Sequence, residues 1–318
     1  MPQHELQARQ RVVVAGAAVA PRRRSGMRRR EEMRGWLLAS PYLLFSLIFF
    51  VVPFAWAAVL VFTRWDLISP QRHWVGLANF AEALASPRVQ AAFWTPFKFM
   101  AIFLPTVLVA AIAIALLVNS LGRWSGLAAV GFFMPYLASG VAMALVVQGI
   151  LSYNSPVSDV FFRLFGDVPD WLGVPALAIT VIALMIAWKF SGYYALIFLA
   201  GLQSIPRELY EAAAIDGAGQ WTSFWRITLP QLYPALYSVM ILAVGLMFGI
   251  FTEPYMLTGG GPDLATHTWY LEIYYQAFSA LRAGYASAVA VLNAVAVFLV
   301  LTVVRRLMEW WGRATGWV

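Results

Sequence analysis

Six long apolar stretches, separated by short polar segments, dominate the pattern of hydrophobic positions along this chain. Each is close to or longer than the stretch of about 20 apolar residues that a helix needs to cross a bilayer. The pattern therefore predicts an all-α integral membrane fold with six transmembrane helices. These helices are predicted at residues 36–62, 94–118, 127–151, 174–202, 232–257 and 285–304.

The composition agrees with a membrane chain. Of its 318 residues, 61% are hydrophobic and only 12% are charged, whereas about 25% are charged in soluble proteins. Much of the surface must therefore contact lipid. Cysteine is absent, which excludes disulfides, a thiol nucleophile and a Cys-ligated metal. His4, His73 and His267 lie far apart in the sequence, so no metal site is predicted.

Positive charges predict the orientation of the chain in the membrane. If the N-terminus is cytoplasmic, 15 of the 22 Lys and Arg residues fall on the cytoplasmic side. Cytoplasmic loops of membrane proteins carry an excess of such residues. A multi-pass protein of the cytoplasmic (inner) membrane with both termini inside is therefore predicted. Topology also accounts for the net charge of +7 without a nucleic-acid partner.

The first 35 residues differ from the rest. Residues 1–35 are rich in arginine, with clusters at 22–24 and 28–30, and predict a basic, disordered cytoplasmic tail. Met27 is an alternative start of the natural protein. Residues 36–318 then form one membrane domain, without a detectable internal repeat.

The connection between the fourth and fifth predicted spans, at about residues 204–230, carries a spaced pattern. Glu211-Ala212-Ala213 is followed after three residues by Gly217, after nine more by Ile227, and after one more by Leu229-Pro230. We call residues 204–230 the EAA loop. The positive-inside rule places it in the cytoplasm.

Local preferences predict two short helices within the EAA loop. Pro206 suits the first turn of a helix, where its missing N–H is not needed, and Gly217 suits a left-handed helix end. A second helix is predicted at residues 220–228, with Trp221, Phe224, Trp225 and Thr228 on one side. Two interpretations are open: an amphipathic loop that packs on its own bundle, or a docking surface for a partner. The full spacing of the pattern favours docking.

This spacing resembles the coupling loop of permease subunits of ABC importers. Several other segments are similar to the carbohydrate branch, the maltose and glycerol-3-phosphate permease superfamily, and the resemblance covers residues from about 36 to the end. The segments are Gly76-Leu77-Ala78-Asn79-Phe80, Ala214-Ile215-Asp216-Gly217-Ala218, Leu257-Thr258-Gly259-Gly260-Gly261-Pro262 and Gly284-Tyr285-Ala286-Ser287-Ala288.

The resemblance implies a division of labour between subunits. A second homologous permease pairs with this chain, an ABC ATPase dimer docks on the EAA loop, and an extracytoplasmic binding protein delivers a sugar, polyol or sugar phosphate. ATP and magnesium belong to the ATPase, and this chain, which lacks a G-x-x-x-x-G-K-[ST] segment, binds no cofactor. The implied ATPase-coupling residues are Glu211, Ala212, Ala213, Asp216, Gly217, Ile227, Leu229 and Pro230.

Polar residues within predicted spans indicate a substrate pathway, because such residues usually face a bundle interior or a cavity. By resemblance, Trp188 and Tyr193 occupy sugar-site positions, whereas Met247 and Ile250 are apolar where that site has polar contacts. The predicted pathway residues are Trp188, Lys189, Tyr193, Tyr194, Gln148, Asn293 and Glu253.

Alternatives remain open for several of these residues. Lys189 either meets an anionic substrate group or is a structural charge that is paired or extends to the membrane interface. Asn293 suits an interhelical hydrogen bond as well as a ligand contact, and Glu253 suits either a gate or a helix cap.

Two other functional classes are less well supported. A proton-coupled secondary transporter would need acidic residues along its spans and often has inverted repeats. A membrane enzyme would need paired carboxylates, a histidine cluster or a nucleophile with its base. Neither pattern is present in the sequence, and the sequence does not specify which sugar is carried.

Overall fold

The computed structural model describes residues 25–66 and 68–317, and these fall into two units that meet in sequence between Ala57 and Ala58. Of the predicted tail, residues 1–24 lie outside the described part. Residues 25–35 differ from the prediction of disorder, because they are helical. Arginine, glutamate and methionine are good helix formers, so this basic segment extends the first span.

The first unit contains the first predicted span. Helix α1 (Ser25–Ser46) continues through a π turn (Leu47–Val51) into α2 (Val52–Leu60). The apolar stretch Glu32–Leu60 is long enough to cross a membrane. The π turn ends directly before the turn that contains Pro53, whose ring nitrogen has no hydrogen to donate. Nearly all the apolar side chains of this first span are exposed, as suits contact with lipid.

The second unit opens with a short antiparallel hairpin. Strand β1 (Thr63–Arg64) pairs with β2 (His73–Trp74), so that Thr63 lies opposite Trp74. Helices then account for nearly all the remaining regular structure among the described residues. They are α3 (Ala78–Ala85), α4 (Pro87–Ser120), α5 (Ser125–Leu137), α6 (Gly140–Leu151), α7 (Pro156–Phe165), α8 (Pro175–Gln203), α9 (Arg207–Ile215), α10 (Gln220–Ser223), α11 (Leu229–Gln231), α12 (Tyr233–Phe248), α13 (Thr252–Thr258), α14 (Trp269–Tyr274) and α15 (Ala283–Thr315). Short 3-10 or π turns lie at Gly122–Trp124, Phe224–Thr228 and Tyr275–Ser279.

Membrane-length helices confirm an all-α membrane protein. Within residues 25–66 and 68–317, five helical stretches are long and apolar enough to cross a bilayer, and the number reaches the predicted six only if a bent pair of helices counts as one span. The five are Glu32–Leu60, Pro87–Ser120, Gly140–Phe165, Pro175–Gln203 and Ala283–Thr315, and the bent pair is Gln220–Gln231 with Tyr233–Phe248.

Two predicted spans are interrupted rather than continuous. The third, predicted at 127–151, breaks at Ala138 and Ser139, both of which have extended backbone angles. The fifth, predicted at 232–257, stops at Gly249 and resumes at Thr252. Composition alone does not reveal these breaks, because the residues on both sides of each are apolar.

Helix α8 lies at the centre of the second unit. More than half of its most apolar stretch is buried, the largest share of any membrane-length helix described. It packs mainly on α4, where phenylalanine rings such as Phe99 and Phe103 meet alanines such as Ala183 and Ala187 in one buried cluster. Small residues let membrane helices approach closely, which explains the alanine-rich faces.

Residues from two of the sequence motifs, Asn79 and Gly284, contact the same backbone segment at residues 61–63. Asn79 donates hydrogen bonds from Nδ2 to the carbonyl oxygens of Val61 (2.7 Å) and Thr63 (2.9 Å). Gly284, at the start of α15, approaches the same segment so closely that a Cβ placed there would lie 1.8 Å from the Thr63 oxygen. The segment that leaves the first span is thus fixed between α3 and α15.

This close approach predicts that Gly284→Ala destabilises the protein. The new methyl group would overlap backbone atoms that cannot move aside as a side chain can, at a cost of about 1–3 kcal/mol or more. Thermal unfolding in detergent measures the effect. Gly245→Ala, within α12, is the matched control, because a Cβ there meets no atom within 4 Å. Equal melting temperatures for the two variants would contradict the packing described.

Candidate functional site

The EAA loop folds as a helix, a glycine turn and a second helix. Helix α9 ends in a left-handed Gly217, with φ of +78°. The amide of Ala218 donates to Ala213 O (2.8 Å) and that of Gly217 to Ala214 O (3.1 Å), the bond pattern of a Schellman motif. The predicted helix stop at Gly217 is therefore confirmed. Pro206 differs slightly from the prediction, since it precedes the first helical residue in an extended conformation.

The second limb of the loop runs from Gln220 to Gln231 through α10, a π turn and α11. It meets α12 at an angle of 63°. Pro234 lies in the first turn of α12, where its ring is tolerated because an amide hydrogen is not needed. The bend at Leu232 thus redirects the chain from the EAA loop into helix α12.

The loop is fixed to the bundle by a few specific contacts. The hydroxyl of Tyr210 on α9 hydrogen-bonds to Thr228 Oγ1 across the loop (2.9 Å). Tyr210 and Ile227 both pack against the buried core, and the buried Leu232 lies against Gly201 at the end of α8. These contacts make the two limbs one body with the ends of α8 and α12.

The outer side of the loop is apolar and uncovered. Ile215 is 87% exposed and Trp221 is 72% exposed, and Leu209 and Trp225 are exposed as well. We call these four residues the loop patch. The rings of Trp221 and Trp225 pack edge to face at 5.6 Å, so the patch is preformed. The described chain does not cover it, which disfavours the interpretation of a loop packed on its own bundle.

The predicted coupling residues divide between the two sides of the loop. Glu211, Ala212, Asp216 and Gly217 are exposed, and neither carboxylate has an ion-pair partner in residues 25–66 and 68–317. Ala213, Ile227, Leu229 and Pro230 are partly buried. The first group is available to a partner, whereas the second group mainly holds the loop to its own helices.

A buried ion pair joins the membrane-length helix α8 to the short helix α13. Lys189 Nζ on α8 is 3.1 Å from Glu253 Oε1 in the first turn of α13, and the two side chains are only 12% and 9% exposed. The start of a helix favours negative charge, which supports Glu253 at this position. The lysine thus has a partner within its own chain, and this favours the interpretation of Lys189 as a structural charge.

Both helix interruptions meet at this ion pair. Gly140, the first residue after the break between α5 and α6, lies over it: a Cβ there would be 3.3 Å from Lys189 Nζ and 3.2 Å from Glu253 Oε1. Glu253 follows the break between α12 and α13. Gln148 adds a second link, since its Nε2 donates to Met256 O on α13 (2.8 Å). We call Gly140, Gln148, Lys189 and Glu253 the polar junction.

The aromatic pathway residues have unequal access. Trp188 is 60% exposed, and the half-buried Tyr193 stacks on Tyr136 of α5, with ring centroids 4.7 Å apart. Tyr194 is only 1% exposed and packs on Phe190. In this conformation the Tyr194 side chain belongs to the core, and its place in a pathway stays a prediction. Tyr136 is the aromatic partner that sequence reasoning missed.

Asn293 and the two apolar fifth-span positions are buried. Asn293 is buried on α15, and its Oδ1 has no hydrogen-bond partner among the described residues. The predicted interhelical hydrogen bond is thus not made through this oxygen. Met247 and Ile250 are also buried, so the side chains present there fill the core.

The glycine-rich segment at residues 259–261, which follows α13, is part of a compact polar network. This network lies beyond the end of α12 that is remote from the EAA loop. Thr258 and Thr266 share a hydroxyl hydrogen bond (2.6 Å), and His267 Nε2 lies 2.7 Å from Glu272 Oε2. Burial raises the pKa of the Glu272 carboxyl, but hydrogen bonds with His267 and Gln276 and the charge of Arg88 outweigh it, so the pKa lies below its usual value. The carboxylate is thus held ionised beneath this segment.

Comparison with known families gives one match that spans nearly the whole chain. The model of the binding-protein-dependent transport system inner membrane component family matches residues 25–315. This range includes the EAA loop, the polar junction and both interrupted spans.

Curated relatives carry sugar-transport names. The sulfoquinovosyl glycerol transport system permease protein SmoG of Agrobacterium fabrum is 34% identical over 80% of this chain and 83% of its own length. The trehalose/maltose transport system permease protein MalF of Thermococcus litoralis is 31% identical over 76% of this chain and 82% of its own length.

A solved structure shares the fold. A chain of a bacterial alginate ABC transporter, in complex with an alginate pentasaccharide-bound periplasmic protein, superposes with a TM-score of 0.75 at 21% identity, over 91% of this chain and 99% of that one. Fold, family match and relatives agree with the motifs described above. The chain belongs to the binding-protein-dependent transport system inner membrane component family, and it is a membrane permease subunit of a carbohydrate-type ABC importer.

Proposed function

We propose that this chain forms half of an ATP-driven import pathway and that an ABC ATPase dimer docks on its loop patch. One observation carries the proposal: Ile215 and Trp221 are 87% and 72% exposed on a loop whose base is hydrogen-bonded and packed into the bundle. An uncovered apolar patch on a fixed support is typical of a protein interface. ATP and magnesium would bind to the ATPase.

The same proposal sets the orientation. The EAA loop and both chain ends lie in the cytoplasm, because 15 of the 22 basic residues then fall on that side, as the positive-inside rule requires. The glycine-rich segment and the β-hairpin then face outward, where an extracytoplasmic binding protein delivers substrate. The alginate transporter, crystallised with its periplasmic protein, supports such a partner.

A second homologous permease completes the pathway. The first span exposes apolar side chains along most of its length up to Val59, and Trp188 on α8 is exposed in the single chain. Lipid and a second permease are the two partners that such surfaces fit within a bilayer. We propose that Trp188 and Tyr193, which combine an aromatic face with a polar group, line the pathway between the two permeases.

The substrate proposed is a sugar or a related polyol. Curated relatives transport trehalose and maltose or sulfoquinovosyl glycerol by name. Lys189 is compensated by Glu253, so an anionic substrate group would have to displace a carboxylate to reach it. The alternative of a proton-coupled transporter is disfavoured, because the chain belongs to the binding-protein-dependent transport system inner membrane component family.

We propose that the permease works by alternating access, and the connections of the loop support this. Its two limbs continue directly into α8 and α12, and the polar junction joins α8 to α13 on the far side of the second interruption. A push on the loop patch therefore moves α8 and the α12–α13 segment together. Such a closed connection suits rigid-body rocking of the helices.

The experiment that tests the proposed function is a pull-down of the tagged chain from detergent-solubilised native membranes. Mass spectrometry should identify a P-loop ATPase and a second permease that carries an EAA loop. Recovery of the chain alone, in a detergent that preserves such complexes, would contradict the proposal.

The left-handed Gly217 predicts a loss of ATPase binding in Gly217→Val. A side chain in this conformation costs about 1–2 kcal/mol. This corresponds to roughly a tenfold decrease in the ratio of correctly folded to misfolded loops. The measurement is the amount of ATPase recovered per permease chain. Gly219→Val is the matched control, because Gly219 has φ of −73° and open space around it. Equal recovery with both variants would refute the role assigned to the turn.

The polar junction predicts that Lys189 and Glu253 depend on each other. Removing one partner of a buried pair leaves an uncompensated charge and costs about 3–5 kcal/mol. Lys189→Met and Glu253→Gln should each lower the melting temperature in detergent, and the double variant should be closer to the wild type than either. Lys98→Met is the control, since Lys98 is exposed on α4. Additive losses in the double variant would mean that the two residues act separately.

A further inference from the structure

The C-terminal end of α15 contacts the chain at the point where it leaves the EAA loop. Tyr233, the first residue of α12, is buried, and its hydroxyl donates a hydrogen bond to the backbone oxygen of Met308. Met308 is itself buried. A single tyrosine thus connects the exit of the loop to the last span, 75 positions further along the chain.

Aromatic rings surround this hydrogen bond. The ring of Trp311 lies 5.9 Å from that of Tyr233, and Trp317 lies 4.6 Å from Trp311 and 6.4 Å from Tyr233. Aromatic pairs at such distances and tilted angles attract each other beyond their shared burial. We call Tyr233, Trp311 and Trp317 the aromatic clamp.

A specific chain reversal brings Trp317 into the clamp. Gly316 has φ of +70°, and the amide of Trp317 donates to Gly312 O (2.8 Å) while that of Gly316 donates to Arg313 O (3.3 Å). This is again a Schellman motif. It folds the residue after the helix back onto the helix, so the contact of Trp317 does not depend on a loose chain end.

The length of α15 places the clamp outside the hydrocarbon region. Its 33 residues span about 50 Å at 1.5 Å per residue, whereas the apolar core of a bilayer is about 30 Å thick. The exposed Arg306 and Arg313 lie in the final turns. The C-terminal part of α15 thus extends beyond the hydrocarbon region on the side of the EAA loop, and it ends next to the bend at Leu232.

This bend is where a push on the loop could be lost. The second limb meets α12 at 63°, and a bend that yields would absorb the movement of the loop without moving α12. Tyr210 on α9, through Thr228, and Gly201 on α8, through Leu232, hold the bend on one side. The aromatic clamp holds it from the α15 side.

We infer that the aromatic clamp positions the exit of the EAA loop, so that movement of the docked ATPase is transmitted to α12 and not lost as bending at Leu232. Tyr233, Trp311 and Trp317 are positioning residues that act through the loop and touch neither nucleotide nor substrate. The expected effect on transport rests on the proposed function, whereas the contacts of the aromatic clamp are a property of this chain alone.

The first test needs only the purified chain in detergent. Hydrogen exchange of the backbone amides in residues 220–232 should quicken by about five- to tenfold in Tyr233→Phe and Trp317→Ala, the factor expected when one net hydrogen bond or an aromatic contact is lost. Trp317→Phe should retain most of the protection, because it keeps an aromatic ring. Unchanged exchange in Tyr233→Phe and Trp317→Ala would overturn the inference.

Matched controls separate the clamp from general damage. Tyr237→Phe removes a hydroxyl one turn further along α12, and Trp310→Ala removes an exposed tryptophan next to Trp311. Both should leave exchange in residues 220–232 unchanged. A quickening as large as in Trp317→Ala would mean that any change in this region loosens the loop, which contradicts a specific clamp.

The second test uses the complete transporter with its ATPase. Trp317→Ala should lower the amount of substrate imported per ATP hydrolysed by severalfold, while the ATPase still copurifies. Quickened exchange with an unchanged ratio would overturn the positioning role and leave only a structural contact. Failure of any ATPase to copurify with the wild-type chain would refute the proposed function and its transport consequence, whereas the exchange result would stand independently.

Discussion

The ion pair between Lys189 and Glu253 is the interaction on which the arrangement of this membrane domain depends. In lipid, a buried charge or an interrupted helix is stable only if partners within the protein satisfy it. Two of the spans predicted from the sequence are interrupted here, and both interruptions lie against this pair, through Gly140 on one side and the first turn of α13 on the other. The pair therefore determines where α6, α8 and α13 meet.

From this junction the structure extends to the loop at the other end of α8. Helix α8 leads into the EAA loop, and α12 returns from it towards α13. The loop therefore connects α8 with α12 at one end, and the ion pair connects α8 with α13 at the other. The loop exposes an apolar patch on its outer side while Tyr210 and Ile227 hold its inner side. A subunit built in this way can receive a movement on one side of the membrane and change packing deep within it.

Sequence patterns predicted the parts of this account that depend on local chemistry. Apolar length predicted an all-α membrane fold with five or six membrane-length helices. The left-handed turn followed from Gly217, because few other residues adopt that conformation. The breaks at Ala138–Ser139 and Gly249 were not predicted, since the hydrophobic pattern continues across both. The pairing of Lys189 with Glu253, 64 positions apart, depends on those breaks. The burial of Tyr194 was not predicted, because a tyrosine in a core and one in a pathway have the same sequence signal.

Long-range packing explains the other features that sequence analysis missed. Asn79 and Gly284 belong to separate motifs, and only the fold shows that both contact the backbone of residues 61–63. Tyr233 and Met308 likewise lie far apart in the chain. Apolar periodicity cannot predict such contacts, because membrane helices present similar apolar faces to lipid and to one another.

The central claim is that an ATPase docks on the loop patch, and the absence of native cysteine allows a direct measurement. Ile215→Cys, at the most exposed loop-patch residue, and Ile68→Cys, at an exposed residue of the β-hairpin turn, each provide a single site for a short cysteine-specific photo-crosslinker in native membranes. The account predicts that the cysteine at position 215 cross-links to a P-loop ATPase and that the one at position 68 does not. Cross-linking at position 68 alone, or at neither position in membranes where the ATPase is present, would contradict it.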